Sequence, residues 1–193
     1  MVNTLPYAPL AVDSSFSMEL VGKRALWMLR ENLNDELDAQ QAKWMQLDGQ
    51  LDLPLTSVEH FMVENFYHGH RPSLIEAPVD RYPNCSVMAW QATPQFSDFD
   101  QVDLFQLHMY VELMCKSDDD EGEVNSRIQR SVDATHAVVM ADRTLGGIIS
   151  DISNTPSVLL TDVFVRSESR EVSRRFIWQG ARMEYTITKP TAL

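Results

Sequence analysis

Three histidines lie close together in the sequence, near two glutamates, and both residue types bind zinc. The histidines are His60, His68 and His70, with Glu59 and Glu64 nearby. Imidazole and carboxylate groups complete a tetrahedral zinc site when the fold gathers them. The spacing is unspecific, and the HGH run before Arg-Pro resembles a turn with exposed imidazoles. We therefore favour a polar turn or a subunit contact, with a metal-binding enzyme that uses these histidines as the alternative.

A second cluster is the acidic segment SDDDEGE at residues 117–123. EF-hand calcium loops also combine acids with a glycine, but aligning Gly122 with the loop glycine puts Ile128 where a bidentate glutamate is required. The EF-hand interpretation therefore fails. We expect a solvated acidic loop before a helix, with a loop that faces a lumen or a partner, or an adventitious cation site, as the alternatives. The candidate residues are Asp118, Asp119, Asp120, Glu121 and Glu123.

The sequence contains none of the common catalytic motifs. It has no P-loop, dinucleotide-binding fingerprint, HExxH, GxSxG or paired CxxC. Its two cysteines, Cys85 and Cys115, lie among strand-forming apolar residues and are expected to be buried free thiols. His108 and His136 fall within a predicted strand and a predicted helix, where structural roles explain them. We therefore predict a protein that is not an enzyme and that uses no cofactor.

The charge balance argues against a protein that grips nucleic acid. The chain has 28 acidic and 16 basic residues, which gives a formal net charge of -12. Nonspecific affinity for nucleic acid comes from lysines and arginines that displace counterions. An acidic channel wall would still let DNA slide past without specific binding. Because the sequence also has no secretory signal and no run of about 18 apolar residues, we expect a cytosolic product without membrane contact.

The elements that would position these residues follow from hydrophobic patterning. We predict an α+β fold in which two main helices pack on one face of an antiparallel sheet. The odd-numbered face of the second strand is wholly apolar from Phe105 to Cys115 and should meet the helices. Gly146 or Gly147 should end the second helix in the left-handed conformation. The predicted helices are residues 16–41 and 122–141, and the predicted strands are 85–92, 102–117, 157–168 and 174–188, the last two forming a hairpin.

One domain is the expected organisation for a chain of 193 residues. Residues 1–13 are predicted to be an extended arm, because Pro6 and Pro9 block a helix, and such an arm could lie on a neighbouring subunit. Residues 14–193 are predicted to form the α+β domain. An irregular insertion is expected within it, at about residues 42–82.

The first predicted helix has more apolar surface than one sheet can cover. Its apolar residues occupy most of the circumference, so the excess must meet either the insertion or a second copy of the chain. We assign Leu26, Trp27 and Leu33 to a subunit interface. Arg174 and Arg175 join this assignment, because alternating charges in the last hairpin favour a solvated edge or a salt-bridged subunit contact.

Between Asp103 and Lys189, a strand that ends in an acidic loop is followed by a helix reading RIQRSVDATHAVVMADRTLGGIISDI and by a hairpin that ends in EYTIT. In these features the run resembles the tail terminator (tail completion) family of long-tailed bacteriophages. The TLGG at residues 144–147, followed by an isoleucine-rich turn, is the most similar part. Residues 42–82 depart from the compact family pattern.

The resemblance implies a structural virion protein with no catalytic residues. It implies a homohexameric ring that caps the tail tube and then joins the tail to the head, while DNA passes through the centre. The implied partners are other copies of the chain, the tail tube protein and the head–tail connector protein. The implied location is the tail or neck of a virion assembled in the host cytoplasm. Another neck or tail-tube component is the alternative within this class.

Overall fold

The computed structural model describes most of the chain, in seven stretches. These are residues 18–51, 58–69, 82–96, 102–117, 121–162, 164–167 and 175–190. The arm predicted at residues 1–13 lies outside them.

In this described part, two long helices and one seven-stranded sheet make an α+β fold. Its chain order begins with a helix, continues through three strands to a second helix, and ends with four strands. A single 3-10 turn, Val63–Asn65, precedes the first strand. The elements are α1 (Met18–Leu51), β1 (Phe66–His68), β2 (Asn84–Phe96), β3 (Val102–Ser117), α2 (Glu121–Ala141), β4 (Asp151–Ile152), β5 (Ser157–Leu160), β6 (Phe164–Ser167) and β7 (Arg175–Pro190).

The sheet has the order β1-β2-β3-β7, and β4, β5 and β6 follow one another along the far side of β7. All pairs from β2 onward are antiparallel, including the predicted hairpin of β5 and β6 with β7. The pair β1 and β2 is parallel, with Phe66 opposite Cys85. The prediction of a purely antiparallel sheet is therefore wrong. The long connection through residues 69–83 allows the parallel arrangement, which a short hairpin loop would forbid.

Helix α1 continues ten residues beyond its predicted end, from residue 41 to Leu51. Residues 42–51 contain no proline and are mostly good helix formers. This extension is held by α2, because Arg130 donates to Gln41 and its guanidinium lies 4.8 Å from the centre of the Trp44 ring. The first part of the predicted insertion is therefore helix, and residues 66–68 are a strand of the main sheet. Residues 52–57 and 70–81 of the predicted insertion lie outside the described residues.

The core lies where the apolar face of β3 meets both helices, and the predicted alternation in this strand is confirmed. Its buried odd-numbered residues share one cluster with residues of α1 and α2. Each fully buried aliphatic side chain of this kind contributes about 1.5–3 kcal/mol. Tyr185 of β7 belongs to the same cluster, and Trp178 is also buried. The β3 residues in the core are Leu107, Met109, Val111, Leu113 and Cys115.

The turn after α2 has the predicted left-handed glycines. Gly146 has a φ of 71° and Gly147 a φ of 87°, and Leu145 before them also has a positive φ, of 50°. The Asp142 carboxylate accepts hydrogen bonds from the backbone N–H groups of Thr144, at 3.2 Å, and Gly146, at 2.7 Å. These bonds satisfy backbone donors locally and fix the end of α2.

The two cysteines are buried free thiols, as predicted. Burial raises the pKa of both, that of Cys115 to about 12. Because only the thiolate is nucleophilic, we expect iodoacetamide at mildly alkaline pH to modify the native protein at least ~100-fold more slowly than a free thiol. Intact mass spectrometry measures the modification, and unfolding in guanidinium should release both thiols as the control. Rapid modification of the folded protein would contradict the buried placement.

Candidate subunit interface

The described sheet ends in an edge strand with unusually apolar side chains. In β5, Val158, Leu159 and Leu160 are 45%, 64% and 40% exposed. Among the described strands, only β7 pairs with β5, so no described strand lies along its other side. Native edge strands usually carry charges, prolines or bulges that prevent pairing with another chain. Three consecutive exposed apolar residues at such an edge favour a protein contact.

Hydrogen bonds to β7 hold the chain before and after β5. Four residues before β5, at the end of β4, the backbone N–H of Ser153 donates to the carbonyl of Thr186 at 2.8 Å. On the other side, Thr161 N–H donates to the Gly180 carbonyl at 2.9 Å, and Gly180 N–H donates to the Thr161 hydroxyl oxygen at 2.9 Å. These bonds hold the edge strand against β7, so its exposed side chains sit on a fixed backbone.

The sheet face opposite the helices carries aromatic and charged side chains on β2, β3 and β7. Trp90 stacks on Tyr110 with ring centres 5.7 Å apart. The Arg182 guanidinium lies 5.1 Å from the centre of the Tyr110 ring, and its Nε donates to Glu112 at 2.8 Å. Leu159 is opposite Arg182 in the ladder and therefore projects from this same face. Exposed aromatic and arginine side chains are common at the centres of protein interfaces.

A histidine and a carboxylate form a second polar contact on this face. The Nδ1 atom of His108 lies 2.7 Å from Glu184 Oε1. His108 therefore has a local partner, which agrees with the structural role expected for it. His136, which lies on α2, stacks on buried Tyr185 with ring centres 6.2 Å apart.

The opposite edge of the sheet also has exposed apolar side chains. Before β1, Met62 and Val63 are both exposed. The segment that contains them is bound to α1 by two hydrogen bonds of 2.9 Å. The Asn34 side-chain amide donates one to the Phe61 carbonyl and accepts the other from the Phe61 N–H. Phe61 in turn contacts Phe66 of β1, with ring centres 5.9 Å apart. Thus both edges of the described sheet offer ordered apolar surface.

The predicted interface residues of α1 occupy different environments. Leu33 is fully buried in the core of a single chain, so its side chain is not available to another subunit. Leu26 and Trp27 are half-buried and pack against that core. The Arg24 guanidinium lies 4.5 Å from the centre of the Trp27 ring, which covers part of the indole. These three side chains are thus covered wholly or in part within the chain, whereas Leu20, Met45 and Leu47 of the same helix are exposed.

One residue of the predicted basic pair lies at the start of β7. Arg175 is the first residue of that strand, opposite Ser167 of β6. Arg174 falls outside the described residues. Arg175 therefore lies on β7, the strand that pairs with β4, β5 and β6 at this edge of the sheet.

The acidic loop divides into two parts. Asp118, Asp119 and Asp120 fall outside the described residues, whereas Glu121 is exposed at the first residue of α2. Glu123 is half-buried and already engaged within the chain, because it accepts from Ser117 Oγ and, at 2.8 Å, from Arg127 Nη2. Of the two described acids, only Glu121 is free to face a lumen or a partner.

The two described histidines of the metal hypothesis have different surroundings. His60 Nε2 lies 2.8 Å from Asp38 Oδ1 of α1. The His68 ring lies over Gly22 of α1, where an added Cβ would approach its Nε2 within 2.9 Å. His70 lies outside the described residues. Within the described ranges, no three histidine, cysteine or acidic side chains are gathered as a metal site requires.

Hydrophobic patterning alone does not predict the exposed side chains of β5 or the stacking of Trp90 on Tyr110. The run of three apolar residues in SVLL was the available signal, because such a run is unusual unless it is buried or functional. The contact between Trp90 and Tyr110 depends on a register shift in β2 between Ala89 and Gln91, which cannot be read from local patterning.

No protein-family model matches this chain, and no curated protein matches it at a significant level. Within the described residues, neither helix is long and apolar enough to cross a membrane.

Proposed function

We propose that this chain is a structural assembly protein that functions as one subunit of a closed ring. The observation that carries the proposal is the β5 edge, where Val158, Leu159 and Leu160 are exposed on a strand that pairs, within the described part of the chain, with β7 alone. Such an edge provides both apolar contact area and backbone groups for pairing.

A ring requires two different surfaces on each subunit. Head-to-tail contacts join one surface of a copy to a different surface of the next, and they close when the rotation between copies closes. The β5 edge and the edge at β1, with exposed Met62 and Val63 nearby, lie on opposite sides of the described sheet. This arrangement supports a head-to-tail assembly.

Within this class, the proposed role is that of a phage tail terminator. Its support is the resemblance of Asp103–Lys189, in which α2, the TLGG turn and the final hairpin follow one another. A terminator ring, hexameric in this family, would cap the tail tube and join it to the head–tail connector. The net charge of -12 suits a ring through which DNA passes without being held. Another neck or tail-tube component is the alternative.

The test is the effect of a nonsense mutation in the gene on phage particles. Loss of a terminator should give tails of uncontrolled length and heads without tails, as seen by negative-stain electron microscopy. Loss of a tail-tube component should instead remove the tails altogether, which would favour the alternative. Normal particles would contradict both roles.

Complementation connects this test to the β5 edge. The wild-type gene should restore normal particles, and the Leu159→Lys variant should not, because a lysine would place a charge in the proposed contact. Leu47→Lys is the matched control, since Leu47 is an exposed leucine on α1, far along the chain from β5. Equal rescue by both variants would remove β5 from the assembly surface.

A further inference from the structure

We propose that the β5 edge of one copy pairs with the β1 edge of the next, so that the sheet continues from subunit to subunit. This inference rests on the proposed ring and names the strands that join it. The partner is a second copy of this chain, and the contact is an antiparallel β-ladder.

The free backbone groups of β5 can be assigned from its neighbours. Thr161 N–H is bonded to the Gly180 carbonyl of β7. Because the backbone groups of alternate residues point to the same side of a strand, those of Leu159 also face β7. The N–H and C=O groups of Val158 and Leu160 therefore point away from β7, toward the side where no described strand lies.

The same reasoning assigns the free groups of β1. Gly69 N–H donates to the Val87 carbonyl of β2 at 2.9 Å, so Tyr67 also directs its backbone groups to β2. Those of Phe66 and His68 point outward. Each edge thus presents two residues whose backbone groups are directed away from its own sheet.

The two edges match in the face on which their side chains lie. Val158 is opposite Met183, and His68 is opposite Val87, and both of these partners belong to the core. The outward-bonding residues of both edges are therefore on the helix-covered face. Pairing Val158 with His68 and Leu160 with Phe66 gives about four backbone hydrogen bonds, two for each pair. It keeps the apolar faces of neighbouring sheets on the same side.

The strand directions also match. β1 runs parallel to β2, and each later step to β3, β7 and β5 reverses direction, so β5 runs opposite to β1. If neighbouring copies are related by rotation about an axis parallel to the strands, each strand keeps its direction from one copy to the next. Neighbouring copies in such a ring would therefore meet as an antiparallel pair, in which Leu159 lies opposite Tyr67 on the sheet face away from the helices.

Disulfide crosslinking tests this register. In the proposed ladder Leu159 and Tyr67 form a pair without hydrogen bonds, whose close Cα spacing suits a disulfide. The variants Leu159→Cys and Tyr67→Cys are mixed and gently oxidised, with the buried native cysteines as an unreactive background. We expect a covalent dimer in the mixture and at least ~10-fold less in either variant alone.

Each other outcome overturns the inference in a distinguishable way. A dimer from Leu159→Cys alone would show that β5 pairs with β5 of another copy, which closes at two subunits. Rings in electron micrographs without the mixed disulfide would place the interface elsewhere and leave the proposed function standing. A protein that is monomeric and forms neither rings nor the disulfide would contradict both the β5–β1 contact and the proposed ring.

A proline substitution provides a second test that does not depend on Tyr67→Cys folding. Val158→Pro removes an N–H that faces away from β7, so the strand pairing within the chain is retained. We expect complete loss of rings, with an unchanged circular dichroism spectrum. Val158→Thr keeps the N–H and the branched shape and should still assemble. Ring formation by Val158→Pro would overturn the proposed ladder.

Discussion

Replacing Leu33 with alanine is expected to lower the free energy of unfolding of a single chain by about 2–5 kcal/mol. Leu33 is fully buried in the cluster that joins α1 to the sheet, so the substitution removes apolar contacts and leaves a cavity. The loss should appear at protein concentrations where the chain is monomeric, because the contacts lie within one subunit.

Urea unfolding, followed by circular dichroism, measures this effect. Leu20→Ala is the matched control: Leu20 lies on the same helix but is exposed, and surface substitutions usually change stability by no more than about 0.5 kcal/mol. Equal small shifts for both variants, together with loss of assembly only for Leu33→Ala, would contradict the core placement and restore Leu33 as an interface residue.

Replacing Arg127 with alanine should cost about 2–4 kcal/mol of stability. Its Nη1 donates to Glu59 at 2.7 Å and to the Lys116 carbonyl at 2.8 Å, and its Nη2 donates to Glu123 at 2.8 Å. The side chain is only 18% exposed. One guanidinium therefore ties the segment before β1, the end of β3 and the first turns of α2, and its loss would leave two half-buried carboxylates without this cation.

Two further variants separate geometry from charge. Arg127→Lys keeps the cation but lacks the planar fork, so its stability should be intermediate. Arg30→Ala removes an exposed ion pair with Glu31 and should cost at most about 1 kcal/mol. Thermal unfolding at two salt concentrations compares them. If Arg127→Ala and Arg30→Ala had the same stability, the hydrogen bonds of Arg127 would not stabilise the fold.

Local hydrophobic patterning predicts a helix or strand correctly when the residues that determine it all lie within that helix or strand. The apolar face of β3 and the existence of α2 follow from the need to bury one face of each element, and both are observed. The end of α1 was placed too early, because the contacts of Trp44 and Gln41 with Arg130 join segments far apart in sequence. The parallel direction of β1 was missed for the same reason, since three residues do not encode their pairing partner.

Contacts between subunits are harder to predict from the sequence than the fold. Excess apolar residues on α1 were assigned to a second copy, yet Leu33 is covered within the chain and Trp27 packs partly under Arg24. Exposure in β5 depends on which strands lie beside it, and this is a property of the whole sheet. The sequence shows that SVLL is apolar but not that it lies at an edge.

The most direct test of the ring proposal is the mass of the assembled protein. Light scattering during size-exclusion chromatography at micromolar concentration, with negative-stain images of the same fractions alone and with tail tubes, measures mass and shape together. The proposal predicts a closed ring with an open centre, built from several copies of the 22.0 kDa chain. A species with the mass of one chain, and no ring in either sample, would contradict it.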